Sequence, residues 1–215
     1  MDIQSSYVNS STINVGGGYD AAGFIGYTGS GAVNIFKSYI TGADVVGNTA
    51  PAGGFIGNNG SSVNISSSYI KSSSFSNNNT MGGFVGGSGT DTITNSYFMG
   101  SVSSQQLGYP TAGAIAYGTL NSTNVYTVAT VNSGTSNHYC FGGSYGGSIN
   151  NSYYDNTVCT LGDNHATGRS TSDMKTNGSA YSGWNLNSGG NDANPWCWTS
   201  GDYPCLYWES GCTCS

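Results

Sequence analysis

The acidic side chains, which supply acid–base groups in polysaccharide-cleaving enzymes, are scattered along this chain. Such enzymes need two carboxylates roughly 5–9.5 Å apart on one exposed face. Asp20 and Asp44 stand at different offsets within the repeats described below, and Asp163 and Asp173 lie beyond those repeats. No histidine has a plausible serine and aspartate partner set for nucleophilic catalysis. We therefore predict that the chain is not an enzyme.

The two histidines, His138 and His165, lie near Cys140, Cys159 and Asp163 in the sequence. A zinc site needs four ligands, usually supplied as close pairs. No Cys-x-x-Cys or His-x-x-x-His pair occurs in this chain. We interpret the histidines as loop residues beside a disulfide, and we expect no metal and no cofactor.

Residues 86–94 fit the Gly-Gly-x-Gly-x-Asp pattern of calcium-binding repeats. Those sites take aspartates from successive turns, so that enough oxygens reach one ion. The equivalent turns at 26–31 and 57–62 contain no aspartate. We interpret the match as a Gly-rich turn, with calcium binding as the alternative.

The six cysteines all lie towards the C-terminus, at Cys140, Cys159, Cys197, Cys205, Cys212 and Cys214. An even number in a loop-rich region indicates disulfides and an oxidising compartment. We expect Cys140 to pair with Cys159. Cys212 and Cys214 are too close to pair comfortably with each other. We therefore expect each to pair backward, to Cys197 and Cys205, with the connectivity left open.

A Gly-Phe-Ile-Gly motif recurs along the chain at a nearly fixed period. It occupies 23–26 and 54–57, with Gly-Phe-Val-Gly at 83–86 and a weaker Gly-Ala-Ile-Ala at 113–116. The steps between the first residues of these motifs are 31, 29 and 30. A Ser-Tyr marker, with Val-Tyr in one place, runs in phase, and its tyrosines are Tyr7, Tyr39, Tyr69, Tyr97, Tyr126 and Tyr153. Such self-similarity indicates a repeat architecture.

The repeats predict strands rather than helices. Their apolar residues come in short runs bounded by Gly, Asn and Ser, without the i, i+3, i+4, i+7 spacing of a helix. One unit cannot bury its own Phe, Ile and Tyr, whereas units stacked about 4.8 Å apart can. We therefore expect an all-β, right-handed parallel β-solenoid (β-helix) of about five turns. Phe24, Phe55 and Phe84 are expected to form one buried column and the repeated tyrosines another.

Beyond residue 155 the repeat stops and the composition changes. All four tryptophans of the chain lie here: Trp184, Trp196, Trp198 and Trp208. We divide the chain into a repeat solenoid at 1–155 and a disulfide-rich, Trp-rich C-terminal cap at 156–215, because a bare last turn exposes strand edges. A short helix is predicted at 172–175, with Ser170 or Ser172 as its N-cap.

Charged residues make up 7% of the chain and the net charge is −6, against roughly 25% charged residues in an average soluble domain. Few cations and a negative balance exclude a nucleic-acid binder and argue against binding to anionic membranes. No apolar run approaches the ~20 residues that span a bilayer. No leader is visible after Met1, so we expect either that one has been removed or that the chain is part of a longer protein.

The Gly-Gly-Phe-Ile-Gly core at 53–57, with its Gly/Ser/Asn turn, aliphatic strand and Ser-Tyr, resembles the GLUG repeat. That repeat occurs in bacterial and other large surface proteins, including filamentous-haemagglutinin-like adhesins. The tail resembles the segment that closes such arrays: 151–155 is similar to its Ser-Tyr-Trp-Asp element, 168–174 to its Gly-x-x-Thr-x-x-Met step and 202–206 to its Tyr-Pro-x-Leu ending. The resemblance implies an extracellular, adhesive or structural role without catalytic residues. The cysteines depart from the bacterial pattern and suggest a secreted protein of another lineage.

Asn59, Asn78 and Asn121 are the glycosylation candidates, because their sequons fall in predicted turns. A surface of Ser, Thr, Asn and Gly with so few charges has little electrostatic protection against association. Glycans, or burial in an assembly, would supply that protection. The first unit shows no cap before Tyr7, so we expect its open edge to accept another chain and to propagate a head-to-tail filament.

The leading hypothesis is an extracellular, cell-surface structural or adhesive module that associates with itself or with other surface proteins and carries covalent glycans. The alternative is a secreted carbohydrate-binding module with exposed aromatic platforms, for which Trp196 and Trp208 are the candidates. A third hypothesis is ice binding, which would need threonine ladders on neighbouring turns, and only residues 90–94 offer such a pattern.

Overall fold

The computed structural model describes residues 1–87, 89–105, 108–133, 137–143, 146–163, 165–186 and 190–214. In this part of the chain, short parallel strands stack into a β-solenoid of about five coils. The all-β class, the parallel solenoid and the approximate number of turns are therefore confirmed. The first three segments of each coil belong to one large sheet that bends around the corners, and the fourth and fifth segments form two smaller sheets.

The first two coils are built from separate short strands, and the third contains one longer strand that runs through a corner. The first coil contains β1 (Asp2–Gln4), β2 (Tyr7–Asn9), β3 (Thr12–Asn14), β4 (Ala21–Ala22) and β5 (Ile25–Tyr27). The second contains β6 (Val33–Phe36), β7 (Tyr39–Thr41), β8 (Asp44–Val46), β9 (Ala52–Gly53) and β10 (Ile56–Asn58). The third contains β11 (Ser62–Ser66), β12 (Tyr69–Asn77), β13 (Met81–Gly82) and β14 (Val85–Gly87).

In the later coils the strands become long enough to run through the corners. The fourth coil contains β15 (Thr90–Ser104) and β16 (Thr111–Ala112), and the fifth contains β17 (Thr119–Ser133) and β18 (His138–Tyr139). An incomplete sixth coil adds β19 (Ile149–Asn150) and β20 (Tyr153–Asp155), on which β21 (Thr167–Arg169) stacks in parallel.

The Gly-Phe-Ile-Gly motif fills the interior of the solenoid. The Phe24 and Phe55 ring centroids lie 5.0 Å apart, and those of Phe55 and Phe84 lie 5.9 Å apart. Ile56 stands in register with its equivalents in both neighbouring coils. Phe55, Ile56 and Phe84 are all 0% exposed. The phenylalanine column predicted from the repeat is confirmed, but only Phe55 and Phe84 are fully buried, because Phe24 in the first coil is half-buried.

The first glycine of the motif is required because the next coil passes directly over it. A Cβ built on Gly54 would lie 2.2 Å from the carbonyl oxygen of Gly83, and one built on Gly83 would lie 2.0 Å from that of Gly113. Neither Gly54 nor Gly83 has a positive φ. The glycines therefore permit close backbone approach rather than a left-handed turn.

The Ser-Tyr marker forms the corner between the first and second segments of a coil. The Ser38 hydroxyl accepts a hydrogen bond from the N–H of Ser6 at 3.2 Å, and the Ser68 hydroxyl accepts one from the N–H of Ser38 at 3.1 Å. The residue just before each of these serines has a positive φ, as in Lys37 at 47° and Ser67 at 45°. The serine thus satisfies a backbone donor that the bent chain would otherwise leave unpaired.

The chain leaves the solenoid through short elements. Helix α1 (Thr171–Thr176) begins at Ser170, whose hydroxyl accepts a hydrogen bond from the N–H of Asp173 at 3.1 Å. A 3₁₀-helix (Gly178–Tyr181) follows, and then the antiparallel pair β22 (Trp196–Cys197) and β23 (Cys205–Leu206). The predicted helix and its Ser170 cap are confirmed. Neither helix in the described ranges has the length and apolar character needed to cross a bilayer.

The six cysteines form three disulfides: Cys140–Cys159, Cys197–Cys214 and Cys205–Cys212. Cys212 and Cys214 both pair backward, and the structure supplies the connectivity that the sequence left open. The first disulfide ties the fifth coil to the residues that follow the solenoid, and the other two cross-link the segment around β22 and β23.

Replacing Gly83 with alanine tests the close approach of the coils, and Gly87 supplies a matched control. The added Cβ would meet a carbonyl oxygen at 2.0 Å at position 83, but nothing nearer than 3.5 Å at position 87. We expect Gly83→Ala to lower the free energy of unfolding by about 1–3 kcal/mol and Gly87→Ala to change it by less than about 1 kcal/mol. Urea denaturation followed by circular dichroism, with the disulfides intact, measures both values. Equal stability of the two variants would contradict the steric argument.

Candidate functional site

The tyrosines of the Ser-Tyr marker form a stacked ladder on one outer face of the solenoid. The rings of Tyr39, Tyr69, Tyr97 and Tyr126 follow one another at centroid distances of 5.1, 5.2 and 4.9 Å, with interplanar angles of 6°, 7° and 3°. Side chains alternate between the two faces of a strand, and Ile40, Ile70 and Phe98, which follow the first three of these tyrosines, enter the main interior core. The tyrosine column is confirmed, but it lies in a second cluster outside the coil.

The ladder is covered by the C-terminal segment at residues 171–186 and 190–214, which we call the strap. Trp184 lies 6.0 Å from Tyr153, ring centroid to ring centroid, at the C-terminal end of the ladder. Trp196 lies 5.8 Å from Tyr126 in the middle, and Trp208 lies 5.4 Å from Tyr69 nearer the N-terminal end. The strap therefore runs back along the side of the stack. The prediction that 156–215 closes the end of the stack is correct only for the residues before the strap.

The positions of the tryptophans correct one sequence-based hypothesis. Trp196 is 1% exposed, and Trp208 is half-buried against Tyr39 and Tyr69. The Trp196 indole therefore has no open face for a sugar ring and is not a carbohydrate platform. Both Trp196 and Trp208 pack between the strap and the ladder.

Ion pairs join the solenoid to the strap and brace the strap itself. Lys37 pairs with Asp192, Lys71 with Glu209, and within the strap Lys175 lies 4.0 Å from Asp202. The remaining cation, Arg169, lies 5.9 Å from the centroid of the Tyr153 ring. All four cations of the chain thus lie in the strap or beside the ladder that it covers. Sequence reasoning missed this arrangement, although the scarcity of lysine and arginine was a usable signal.

Glu209 is the charged residue of the strap that is buried against the ladder. It is 7% exposed, and it accepts hydrogen bonds from the Tyr97 hydroxyl at 2.6 Å and from Lys71 at 2.9 Å. Burial, together with the nearby Tyr126 and Glu209, raises the pKa of the Tyr97 phenol well above its ordinary value. Tyr97 therefore keeps its proton and remains a donor to the carboxylate.

Asp155 links the last coil to the strap. It is 0% exposed, and its Oδ1 accepts from the N–H groups of Thr157 and Val158 at 2.8 and 3.1 Å. Its Oδ2 accepts from the Thr171 hydroxyl at 2.6 Å and from the Tyr203 hydroxyl. This buried carboxylate accepts hydrogen bonds on both oxygens, and so it stabilises both the turn at 155–158 and the junction with the strap.

The C-terminal end of the stack is closed by residues 156–163 and 165–166. Leu161 and Ala166 pack against the interior core, to which Cys159 itself belongs. Asp163 Oδ2 accepts from the N–H groups of Phe141 and Gly142 at 2.7 and 3.0 Å. In the preceding coil the equivalent N–H group donates to a carbonyl oxygen of the next coil, as the N–H of Ala114 does to the carbonyl oxygen of Phe141. Asp163 therefore replaces the missing coil at this point.

The N-terminal end of the stack is open in the described chain. Strands β1 to β5 each pair with the second coil on one side and with nothing on the other. Val8 is only half-buried, whereas its register equivalents Ile40 and Ile70 are both 0% exposed. Tyr7, the outermost rung of the ladder, is 64% exposed. We call this end of the stack the assembly edge.

A chain of polar side chains crosses three coils inside the solenoid wall. The Thr28 hydroxyl donates to Asn59 Oδ1 at 3.2 Å, and Asn59 Nδ2 donates to Asp91 Oδ1 at 2.7 Å. Asn59 is 0% exposed. A glycan on Asn59 would have to replace this buried hydrogen bond, so the structure corrects the prediction that its sequon lies in an accessible turn.

Asp91 is also 0% exposed, and its Oδ2 has no hydrogen-bond partner. It stands in register between Val63 and Leu120, which line the interior core. Within the described ranges, His, Cys, Asp and Glu side chains nowhere gather in groups of three or more, as a metal site of that kind would require.

The other candidate residues are dispersed. Asn78 is exposed just after β12, while Asn121 lies within β17 rather than in the predicted turn. Asp44 is exposed in β8 and accepts from the Ser74 hydroxyl at 2.9 Å, and Asp20 is half-buried. The neighbours of Thr92 in register are Asn64 and Asn121. Thr90 and Thr94 do pair with Thr119 and Thr123 of the next coil, but serines occupy the equivalent positions of the preceding coil, so these threonine pairs span only two coils.

The two histidines occupy separate places. His138 lies in β18, and His165 lies in the closing segment, where its N–H donates to Asp163 Oδ1 at 2.8 Å.

No family model, curated protein or solved structure matches this chain.

Glu209→Ala tests how the strap is held to the ladder. The substitution leaves the buried Tyr97 hydroxyl without its acceptor and removes the partner of Lys71. We expect the free energy of unfolding to fall by about 2–4 kcal/mol, and acrylamide to quench the tryptophans more strongly as the strap loosens. Asp202→Ala is the control, because Asp202 is 86% exposed and its pair spans 4.0 Å. Its loss should cost less than about 1 kcal/mol. Similar losses in the two variants would show that Glu209 does not anchor the strap.

Asp91→Asn tests the buried carboxyl group. Burial raises the pKa of Asp91 to about 7, although the hydrogen bond from Asn59 opposes the shift. An unfolded aspartate releases its proton near pH 4. The pKa of Asp91 is therefore higher in the folded chain than in the unfolded chain. Its contribution to the free energy of unfolding is fully present below about pH 4 and is lost as the pH rises from about 4 to about 7. We expect Asp91→Asn to remove this fall and to raise stability at pH 7 by roughly 2–4 kcal/mol.

Chemical denaturation across that pH range measures the effect, and Asp44→Asn at an exposed strand position is the control. A pH profile of Asp91→Asn parallel to that of the unsubstituted chain would contradict the prediction.

Proposed function

We propose that this chain is a structural or adhesive module of an extracellular surface assembly, and that it associates with a second copy of itself through the assembly edge. The observation that carries the proposal is the difference between the two ends of the stack. One end is closed by its own residues, whereas the other presents unpaired strands and half-buried core side chains.

Open strand edges favour pairing with further β-structure. A parallel sheet is ordinarily continued or covered, because its edge carries unsatisfied N–H and C=O groups. At the assembly edge these groups lie beside Ile3, Val8, Ile13 and Phe24, which pack against the core but are only partly buried. A second β-coil on this face would bury the apolar side chains and pair the backbone in one step.

The closed C-terminal end of the stack affects which ends of two copies can meet. Head-to-tail addition would require residues 156–163 and 165–166 to leave the end of the stack, together with the Asp163 contacts to Phe141 and Gly142. Two assembly edges can meet across a two-fold axis without any such rearrangement. We therefore favour a two-fold pairing of N-terminal ends over the head-to-tail filament expected from the sequence.

An extracellular location is supported by three features. The chain carries three disulfides, which persist in oxidising compartments. Its surface is rich in Ser, Thr, Asn and Gly and poor in charge, which suits a module shielded by glycans or by an assembly. The resemblance of its repeats to GLUG-repeat surface proteins points the same way. Exposed Asn78 is the site that we propose for a glycan.

The position of the strap supports association through an end of the stack rather than through its side. It covers the tyrosine ladder, so that Tyr97 and Tyr126 are 1% and 0% exposed. The side of the stack with the largest aromatic surface is therefore already occupied by the chain itself. The assembly edge is left as the main apolar surface for a second copy.

Val8→Lys tests the association, with Val158→Lys as the matched control. Val8 lies at the assembly edge, and Val158 is 39% exposed at the closed end. We expect the unsubstituted chain to pass from monomer to dimer with rising concentration in sedimentation velocity. Val8→Lys should weaken dimerisation at least about tenfold, since it places a charge against an apolar face, while Val158→Lys should not.

Thermal unfolding of both variants checks that the first coil still folds. A chain that stays monomeric to high micromolar concentration, or equal dimerisation of a folded Val8→Lys variant, would overturn the proposal.

A further inference from the structure

A cleft of about 420 Å³ opens at a corner of the solenoid, away from both the strap and the assembly edge. It lies between the ends of β10 and β14 on one side and the starts of β9, β13 and β16 on the other. No residue that lines it is charged. Its volume falls within the range of about 300–1,000 Å³ found for small-molecule sites.

The cleft exists because a glycine interrupts a column of larger side chains. Tyr27, Asn58 and Gly87 stand in register on successive coils. Tyr117 lies two residues beyond Ile115, which pairs with Val85 of the coil below, and it lines the same cleft as Asn58 and Gly87. A Cβ on Gly87 would meet only Pro51 at 3.5 Å and Thr80 at 3.8 Å. The missing side chain therefore leaves a recess between Asn58 and Tyr117.

Aromatic rings reach this recess from the surface. Tyr109 is 37% exposed and Tyr117 is 46% exposed, whereas Tyr97 of the covered ladder is 1% exposed. Tyr27, three coils from Tyr117 and 59% exposed, extends the same column by ~14 Å at about 4.8 Å per coil. Exposed rings thus stand at both ends of a line that runs parallel to the axis of the stack.

Amide groups lie between these rings in fixed orientations. Asn79 Nδ2 donates to the carbonyl oxygen of Thr49 at 2.8 Å, and Asn79 Oδ1 accepts from the N–H of Thr80 at 2.6 Å. An amide has two donors and two acceptor lone pairs, so each group retains capacity for a ligand. Asn58 lines the other wall and bonds to Asp20.

We propose that this cleft binds a neutral oligosaccharide, with Tyr117 and Tyr109 stacking on sugar rings and Asn79 and Asn58 hydrogen-bonding to sugar hydroxyls. The apolar faces of a pyranose suit exposed tyrosine rings, which combine an apolar body with a polar tip. The lack of charge in the lining disfavours phosphate, uronate and other ionic ligands. The column that continues to Tyr27 suits an extended chain of sugars rather than a single ring. Tyr27 lies in β5 at the assembly edge, but none of the residues that line the cleft belongs to that edge. Binding in the cleft and association through the edge can therefore fail independently.

Isothermal titration calorimetry of the intact chain tests the site, with cellohexaose, maltohexaose, mannohexaose and chitohexaose as separate probes. We expect at least one of them to bind. Tyr117→Ala, which removes a stacking ring, and Gly87→Leu, which fills the recess, should each weaken that binding at least about tenfold. Tyr19→Ala is the control, because Tyr19 is 74% exposed and does not line the cleft. Circular dichroism confirms that each variant is folded, and Gly87→Ala, which adds a smaller side chain, should have an intermediate effect.

Failure of all four probes to bind at millimolar concentration would overturn the proposal, as would binding that Tyr117→Ala and Gly87→Leu leave unchanged. An oligoproline peptide serves as a competing probe, since Pro-rich segments also dock in tyrosine-lined grooves. If oligoproline binds, and Tyr117→Ala abolishes that binding while the sugars do not bind, the cleft recognises peptide instead.

Discussion

Backbone contact between successive coils, at about 4.8 Å, is the constraint on which the rest of this structure depends. A coil can come so close only where no Cβ stands in the way, and so Gly54 and Gly83 lie directly beneath carbonyl oxygens of the next coil. The same spacing places phenylalanine over phenylalanine in the interior and tyrosine over tyrosine outside. It also brings the corner serines within reach of the backbone N–H in the preceding coil.

The stacked tyrosines create a second packing problem, which the strap resolves. A ladder of aromatic rings on an outer face would leave a large apolar surface in water. The strap covers it with Trp184, Trp196 and Trp208, and ion pairs with Lys37 and Lys71 hold it there. The chain therefore has few charged residues, and its four cations lie in one region. These cations lie along the strap and the ladder, whereas exposed carboxylates such as Asp2 and Asp44 lie elsewhere on the surface.

The two ends of a solenoid are chemically different from its sides, because only there does the strand ladder stop. At the C-terminal end Asp163 accepts two backbone N–H groups that would otherwise bond to a further coil. At the N-terminal end no described residue takes that place, so the interior side chains of the first coil remain partly exposed. This asymmetry is the basis of the association that we propose. The neutral cleft at the corner is a separate surface that the same stacking creates.

Stacking could be predicted from the sequence alone because it depends on a periodic pattern. The spacing of Gly-Phe-Ile-Gly and Ser-Tyr predicted the parallel coils, the phenylalanine and tyrosine columns and the approximate number of turns, since equivalent residues in a solenoid share one environment. The backward pairing of Cys212 and Cys214 followed from their closeness in the chain. Capping serines before a helix-tolerant run predicted a short helix at 172–175, and the structure selected Ser170 over Ser172 as the N-cap of α1.

The remaining features were decided by tertiary contacts between residues that no period relates. Glu209 reaches Tyr97 across 112 positions of the chain, and no local pattern reveals such a pair. Asn59 lies in a Gly-rich turn that suggests exposure, yet Asp91 on the next coil draws its amide inward. Trp196 and Trp208 were proposed as exposed platforms, but the strap folds back, so that Trp196 is buried and Trp208 is half-buried against the ladder. The period of the sequence determines how equivalent residues stack. The environment of a residue without equivalents in other coils depends on which distant surface its segment packs against.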